Sequence, residues 1–204
     1  MIVTLKILAG FLIGAIPFAK VAMLGTGIDI TKTGSKNPGF NNVLRVTHNW
    51  WRAGVALIGD ISKGYVALML LSRGEVSVMA LWFIGIAAVV GHCWSPFLKF
   101  NGGKGVATTV GALLFLEPRI TLVCLPLYLI LRFFGRKIHW RQEGAIASLS
   151  TMFVISAVVL GLNGTQPGIL AYMMFAIVLV RHTPNLREIT SPKHEQLSAQ
   201  SKSL

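Results

Sequence analysis

Charge is what this chain has least of. Only 13% of its 204 residues are Asp, Glu, Lys or Arg, where a soluble globular domain carries about 25%. Set against 53% apolar residues gathered in long runs, that shortage excludes a soluble domain, a disordered chain and a fibrous repeat. It predicts an all-α, polytopic integral membrane protein, with lipid in place of water around most of its surface. Acidic residues are scarcer still: 7 against 19 Lys and Arg, for a net charge of +12. In a soluble chain that excess would point to nucleic acid. Here the aromatics lie inside apolar runs rather than in basic grooves, so no nucleic-acid partner is expected. Membrane topology and an anionic substrate account for the basic residues better. Cysteine is nearly absent: Cys93 and Cys124 lie far apart, with neither a disulfide framework nor a metal-ligand pattern. No metal and no other cofactor is expected. A G-x-S-x-G elbow is also missing, and no H-x-x-x-x-D acyltransferase pattern occurs.

Seven apolar runs are predicted as helices: 2–24, 53–71, 76–90, 106–116, 120–134, 145–162 and 168–180. The first lacks a basic n-region and a small-residue cleavage site, so it is expected to remain as a membrane helix. A crossing takes ~20 residues, so several runs imply a thin protein with tilted or partly buried helices. The basic residues set the topology. With the N-terminus outside and every run crossing, Lys32, Lys36, Arg45, Arg52, Lys99, Lys104, Arg136, Lys137, Arg141, Arg187 and Lys193 fall inside. Only Arg73 and Arg119 are left in outside loops. Fusing 106–134 into one crossing would carry Arg136, Lys137, Arg141, Arg187 and Lys193 outside, against the positive-inside rule. About seven short crossings with a cytoplasmic C-terminus are therefore expected. Residues 1–190 form a single transmembrane domain in this reading, followed by a polar, disordered tail over 191–204.

That topology gathers three conspicuous segments on the cytoplasmic side. In the strongest, Gly102, Gly103, Lys104 and Gly105 open directly into a predicted helix carrying Thr108. Glycines let backbone N–H groups approach an anion, the helix start adds a positive dipole end, and Lys104 adds a full charge. It is not a Walker A loop, because Gly105 stands where Ser or Thr is required. It suggests phosphate without an NTPase, or else a flexible loop with a topology-setting lysine. The segment 33–45 is dense in Gly, Asn and Ser and ends at Arg45, a side chain suited to bidentate contact with an oxyanion. An ordinary turn-rich loop has the same composition. In the third, Arg181-His182-Thr183-Pro184-Asn185, the histidine is either a general base or an interfacial residue that ends a helix. Asp60 and Lys63 lie inside an apolar run at a spacing that shares one helix face, so each can neutralise the other in support of the site. His92, beside Trp94 and Phe97, is expected as an interfacial anchor. Ser148 lies early in the sixth run and is a candidate to face the site.

Together the three segments resemble the bacterial membrane family of acyl-phosphate:glycerol-3-phosphate acyltransferases, the PlsY type. That family's S-G-N-x-G-A-T-N-x-x-R is matched by Ser35, Asn37, Gly39, Asn42 and Arg45. Its G-H-x-F-P-x-F-x-x-F-x-G-G-K-G-V-A-T is matched by Gly91, His92, Phe97, Phe100 and the whole 102–108 run. Its H-x-x-N is matched by His182 and Asn185, and its D-x-x-K-G by Asp60, Lys63 and Gly64. Lys36, Phe40 and Asn41 depart from the first motif, and Pro96 stands one place beyond the usual proline. The resemblance implies acyl transfer from acyl phosphate to the first hydroxyl of glycerol 3-phosphate, giving lysophosphatidic acid and inorganic phosphate, the first acylation of phospholipid synthesis. It implies an active site facing the cytoplasm from the inner membrane, and a donor supplied by a separate phosphate:acyl-ACP transferase. It assigns catalysis to His182, Asn185, Lys104 and Arg45. Substrate binding falls to Ser35, Asn37, Gly39, Asn42, Gly102, Gly103, Gly105, Thr108 and Ser148, with Asp60, Lys63 and His92 in support. A membrane transporter or binding protein for organic phosphates is the alternative; basic loops and an intramembrane pair would suit one.

Overall fold

The computed structural model describes residues 1–190, and the polar tail expected over 191–204 lies outside them. All regular structure among the described residues is helical. The first apolar run is broken: α1 (Ile2–Ala15) and α2 (Phe18–Ala22) part at Ile16-Pro17. Pro17 has no N–H and disfavours helical geometry for Ile16, whose ψ is 121°. The basic loop carries α3 (Phe40–Thr47). Asn49, whose side chain accepts from Arg52 N–H at 3.1 Å, then caps the long α4 (Trp50–Leu71). Ser77 caps α5 (Val78–Cys93) in the same way. After a short 3-10 turn (Pro96–Leu98) and the glycine loop come α6 (Val106–Leu116) and, across Glu117-Pro118, α7 (Pro118–Lys137). The described residues close with α8 (Glu143–Asn163), α9 (Thr165–Arg181) and α10 (Thr183–Thr190).

Each of the seven apolar runs is therefore helical, and five helical segments among the described residues are long and apolar enough to cross a membrane. A sixth is obtained if α9 and α10, bent by 60°, count as one span. The helix α6 has only 11 residues, about 16 Å at the usual rise, half a hydrocarbon core. Much of it is enclosed by protein: Thr108, Thr109, Ala112 and Leu113 are buried among its neighbours. Small residues make that possible. A methyl group at Gly111 would overlap the Ile61 carbonyl of α4, and one at Gly64 the Thr108 carbonyl of α6. Backbones that touch in this way gain dispersion contacts that lipid cannot supply. Gly14 and Gly91 do the same between α1 and α5. The core of Leu68, Trp82, Ile84, Leu113, Ile155 and Met174 packs α6 against α4 and α5, which fixes where the glycine loop sits.

Candidate active site

The glycine loop is built by its approach to the end of α5. Lys99 and Phe100 take left-handed backbone (φ 52° and 61°) and turn the chain back. Gly102 N–H then donates to Cys93 O and Gly103 N–H to His92 O, each at 3.1 Å. A side chain at Gly103 would collide with the His92 ring, so close approach explains this glycine. Gly105 is required for a second reason: at φ 87° it begins α6 in a left-handed conformation, with Cys93 Sγ 2.9 Å from where a Cβ would stand. The first helical bond runs from Thr109 N–H to Gly105 O. No backbone hydrogen bond from Lys104 or Gly105 N–H, or from the first turn of α6, occurs among the described residues. These amides form the anion-receptive end of α6.

Two further segments meet this loop. At the end of α9, Arg181 donates from Nε to Gly103 O (3.0 Å) and from Nη2 to Gly102 O (2.7 Å), and stacks 5.5 Å from the Trp94 ring centroid. His182, 2% exposed, places Nδ1 2.8 Å from Val178 O. A carbonyl can only accept, so Nδ1 carries the hydrogen and Nε2 keeps its lone pair. Burial, reinforced by the Lys104 and Arg181 charges and opposed by the Val178 bond, pulls the His182 pKa down to about 4. The imidazole is therefore neutral at pH 7. Burial also pulls the Lys104 pKa below its ordinary 10.5, as do the neighbouring Arg45 and Arg181, while Glu188 opposes them. Mutual repulsion between cations from α3, the glycine loop and α9 marks a site that gains when an anion enters.

The basic loop is organised around Asn42, 1% exposed. Its Oδ1 accepts from Ser35 N–H at 2.8 Å, and its Nδ2 donates to Ile30 O and Thr33 O. Asn42 was expected to touch substrate; its amide instead ties its own loop, leaving exposed Ser35 and Arg45 to face outward. Asn37 accepts from Gly39 N–H through its backbone oxygen, and Gly39 begins α3. Asn185 Nδ2 donates to Gln142 Oε1 and Gln142 Nε2 to Glu188 Oε2, both at 2.6 Å, which fastens α10 to the α7–α8 connection. Arg132 reaches Asn41 Oδ1 at 3.3 Å and lies 3.8 Å from Glu143. Ser148 is buried with its hydroxyl on Gly144 O of its own helix, and the Thr108 hydroxyl is enclosed without a partner among the described residues. Neither hydroxyl is presented at the surface of the loop.

Behind the loop, Asp60 Oδ1 lies 2.8 Å from Lys63 Nζ, the pairing expected from their spacing. The third member differs from expectation: His92 is 7% exposed, not interfacial, with Nδ1 3.4 Å from the same oxygen. Neither contact has hydrogen-bond geometry at Oδ1; the Lys63 contact is an attraction between charges, while His92 lies beside the carboxylate as a neighbour that is charged only when protonated. Lys63 also donates to Ile16 O (2.7 Å), the carbonyl freed by the Pro17 break. A cavity of about 10 Å³ between Asp60, Lys63, His92, Ser95 and Gly103 has room for about one water. Phe18 walls this cavity and also lines an apolar groove of about 400 Å³ between α2 and α4, with Val21, Trp50, Trp51, Val55 and Ile58.

Residues 4–192 match the family model of glycerol-3-phosphate acyltransferase. The chain belongs to the glycerol-3-phosphate acyltransferase family. A glycerol-3-phosphate acyltransferase of Helicobacter pylori is 33% identical over 93% of this chain and 92% of its own length. That of Laribacter hongkongensis is 32% identical over 97% and 98%. Among solved structures, PlsY, an integral membrane glycerol 3-phosphate acyltransferase, superimposes in its glycerol 3-phosphate form with a TM-score of 0.79, 26% identity and 92% coverage of each chain. Its lysophosphatidic acid form gives 0.78.

Of the residues that hold the site, motif reading passed over Arg181, Gln142 and Arg132. The first stood next to His182 with no role of its own; the other two lie in no motif, and only their contacts reveal them. Gly105 provides a direct check on the loop. In this acyltransferase, Gly105→Ala forces a left-handed alanine, costing about 1–3 kcal/mol, and lowers kcat/KM by roughly tenfold or more in purified, folded enzyme. Unchanged kcat/KM in detergent kinetics would show that the loop tolerates another backbone path.

Proposed function

We propose that the protein transfers a fatty acyl group from acyl phosphate to the first hydroxyl of glycerol 3-phosphate, giving lysophosphatidic acid and inorganic phosphate. The observation that carries this reading is the start of α6, where amides without a backbone partner among the described residues adjoin Lys104 and Arg181 grips the same loop, with the Arg45 charge also acting on Lys104. Both reactants carry phosphate, so positive charge and N–H donors are needed more than a nucleophile. Acyl phosphate is already activated. The glycerol oxygen attacks the acyl carbon, the new ester C–O bond forms, and the C–O bond to phosphate breaks with its electron pair leaving on phosphate. No acyl-enzyme is required.

His182 is suited to accept the hydroxyl proton. Its fixed tautomer aims a lone pair from Nε2, and a phosphate bound on Lys104 would offset the charge that, after burial, weakens it as a base. Lys104 with the α6 amides would hold one phosphate, and Arg45 with Ser35 the other or the glycerol hydroxyls. Asn185 and Asn42 hold α10 and the basic loop in place. The groove beside Phe18 suits the acyl chain: it is apolar, and Phe18 also lines the cavity bordered by Gly103. In this reading the site faces the cytoplasm from a bacterial inner membrane, and a phosphate:acyl-ACP transferase supplies the donor.

The decisive assay measures phosphate release by detergent-purified protein with acyl phosphate, acyl-CoA and acyl-ACP as donors. Release from acyl phosphate alone, dependent on glycerol 3-phosphate, is expected. Uptake of glycerol 3-phosphate into proteoliposomes without phosphate release would favour the transporter instead.

A further inference from the structure

We infer that Arg181 is a positioning residue that sets the peptide planes of the anion-binding loop. The inference rests on the proposed phosphate role of that loop and deepens it. Nε and Nη2 grip two consecutive carbonyls, Gly103 O and Gly102 O. Glycine peptides rotate more freely than any others, so a loop of three glycines around Lys104 needs an external restraint to keep one orientation. In a trans peptide the carbonyl and the following N–H point in opposite directions. Pinning Gly103 O toward Arg181 therefore turns Lys104 N–H away from it, to the side where the α6 amides are unpaired.

The neighbouring peptide is held from both ends. Gly102 O is gripped by Arg181, while Gly103 N–H donates to His92 O. Trp94, on which the guanidinium stacks, holds the plane of the fork. Lysine cannot reproduce this arrangement, because its ammonium is a point charge with no rigid plane. The position has a second consequence. Arg181 directly precedes His182, and both grip backbone carbonyls, so the end of α9 locates the imidazole and the loop in one frame.

The test compares Arg181→Ala, Arg181→Lys and Arg181→Gln with Lys104→Ala. The readouts are kcat, KM for each substrate, inhibition by inorganic phosphate, and the monodisperse fraction in detergent. Arg181→Ala is expected to weaken phosphate inhibition and to raise KM for one anionic substrate, by about tenfold or more, the effect of lost charge-assisted hydrogen bonds. Arg181→Lys should recover little of this and Arg181→Gln, with a planar donor, somewhat more. Added guanidinium should restore Arg181→Ala, a rescue that a general folding defect would not show. If Lys104→Ala weakens phosphate inhibition but folded Arg181→Ala and Arg181→Lys do not, the positioning role is overturned and the phosphate loop stands. If Lys104→Ala itself leaves phosphate inhibition and both KM values unchanged, the reading of the loop falls first. Should Arg181→Ala not yield folded protein, Arg181→Lys and Arg181→Gln decide: native constants in both overturn the inference.

Discussion

Lys104→Ala lowers kcat/KM for acyl transfer by ~100-fold or more, and Arg45→Ala by a similar factor, the magnitude seen when a donor to developing negative charge is removed. Lys104 lies at the meeting point of the site. Its charge repels Arg45 and Arg181 and depresses the His182 pKa, so it is close to every other cationic part. A charge held against such repulsion interacts more strongly with an arriving phosphate, because binding relieves the repulsion as well as forming the ion pair. Arg45 contributes from a different segment, the last turn of α3, and is exposed. Its loss should therefore depend more strongly on ionic strength than that of half-buried Lys104. Steady-state kinetics at low and moderate salt check both effects. Near-native turnover in both folded variants would reject the site.

Asp60→Ala destabilises the protein by about 3–5 kcal/mol, because it strands the buried Lys63 ammonium without its counter-charge. Lys63 would keep the Ile16 carbonyl and the face of the Phe18 ring but no counter-charge, and His92 would lose its carboxylate neighbour. The damage reaches the site through His92, whose carbonyl holds Gly103 N–H and whose ring fills the space beside Gly103. The double variant Asp60→Leu/Lys63→Met removes both charges and is expected to regain much of the lost stability, since apolar replacement of a buried pair is often neutral. Thermal unfolding in detergent distinguishes the two. A single variant as stable as the parent would mean that the pair supports nothing.

Much of this site could be read one segment at a time. Gly102 to Gly105, Arg45 and His182 each lie in a short local pattern whose chemistry survives without neighbours: glycines beside a lysine at a helix start, an arginine closing a polar loop, a histidine ending an apolar run. The ion pair of Asp60 and Lys63 was equally legible, because helical spacing alone puts both on one face. Where local pattern misled, the cause was a partner distant in the chain. His92 resembled an interfacial residue by its aromatic neighbours, yet its imidazole lies beside the Asp60 carboxylate, 32 positions earlier, and is buried. Asn42 resembled a substrate ligand by motif, yet its amide is committed to Ile30, Thr33 and Ser35. Arg181 gained a role only when Gly102 and Gly103, nearly 80 residues away, came into contact with it.

The linear chain was sufficient for the solvent, the helical class and the chemical character of the ligand. Those depend on summed quantities, apolar run length and excess positive charge, that no arrangement in space can alter. Folding alone decided that the 11-residue α6 would be enclosed by its neighbours. It also decided which polar side chains would be consumed in holding loops. The reason is that a hydrogen-bonding group has limited capacity, and contacts between distant segments determine where that capacity goes.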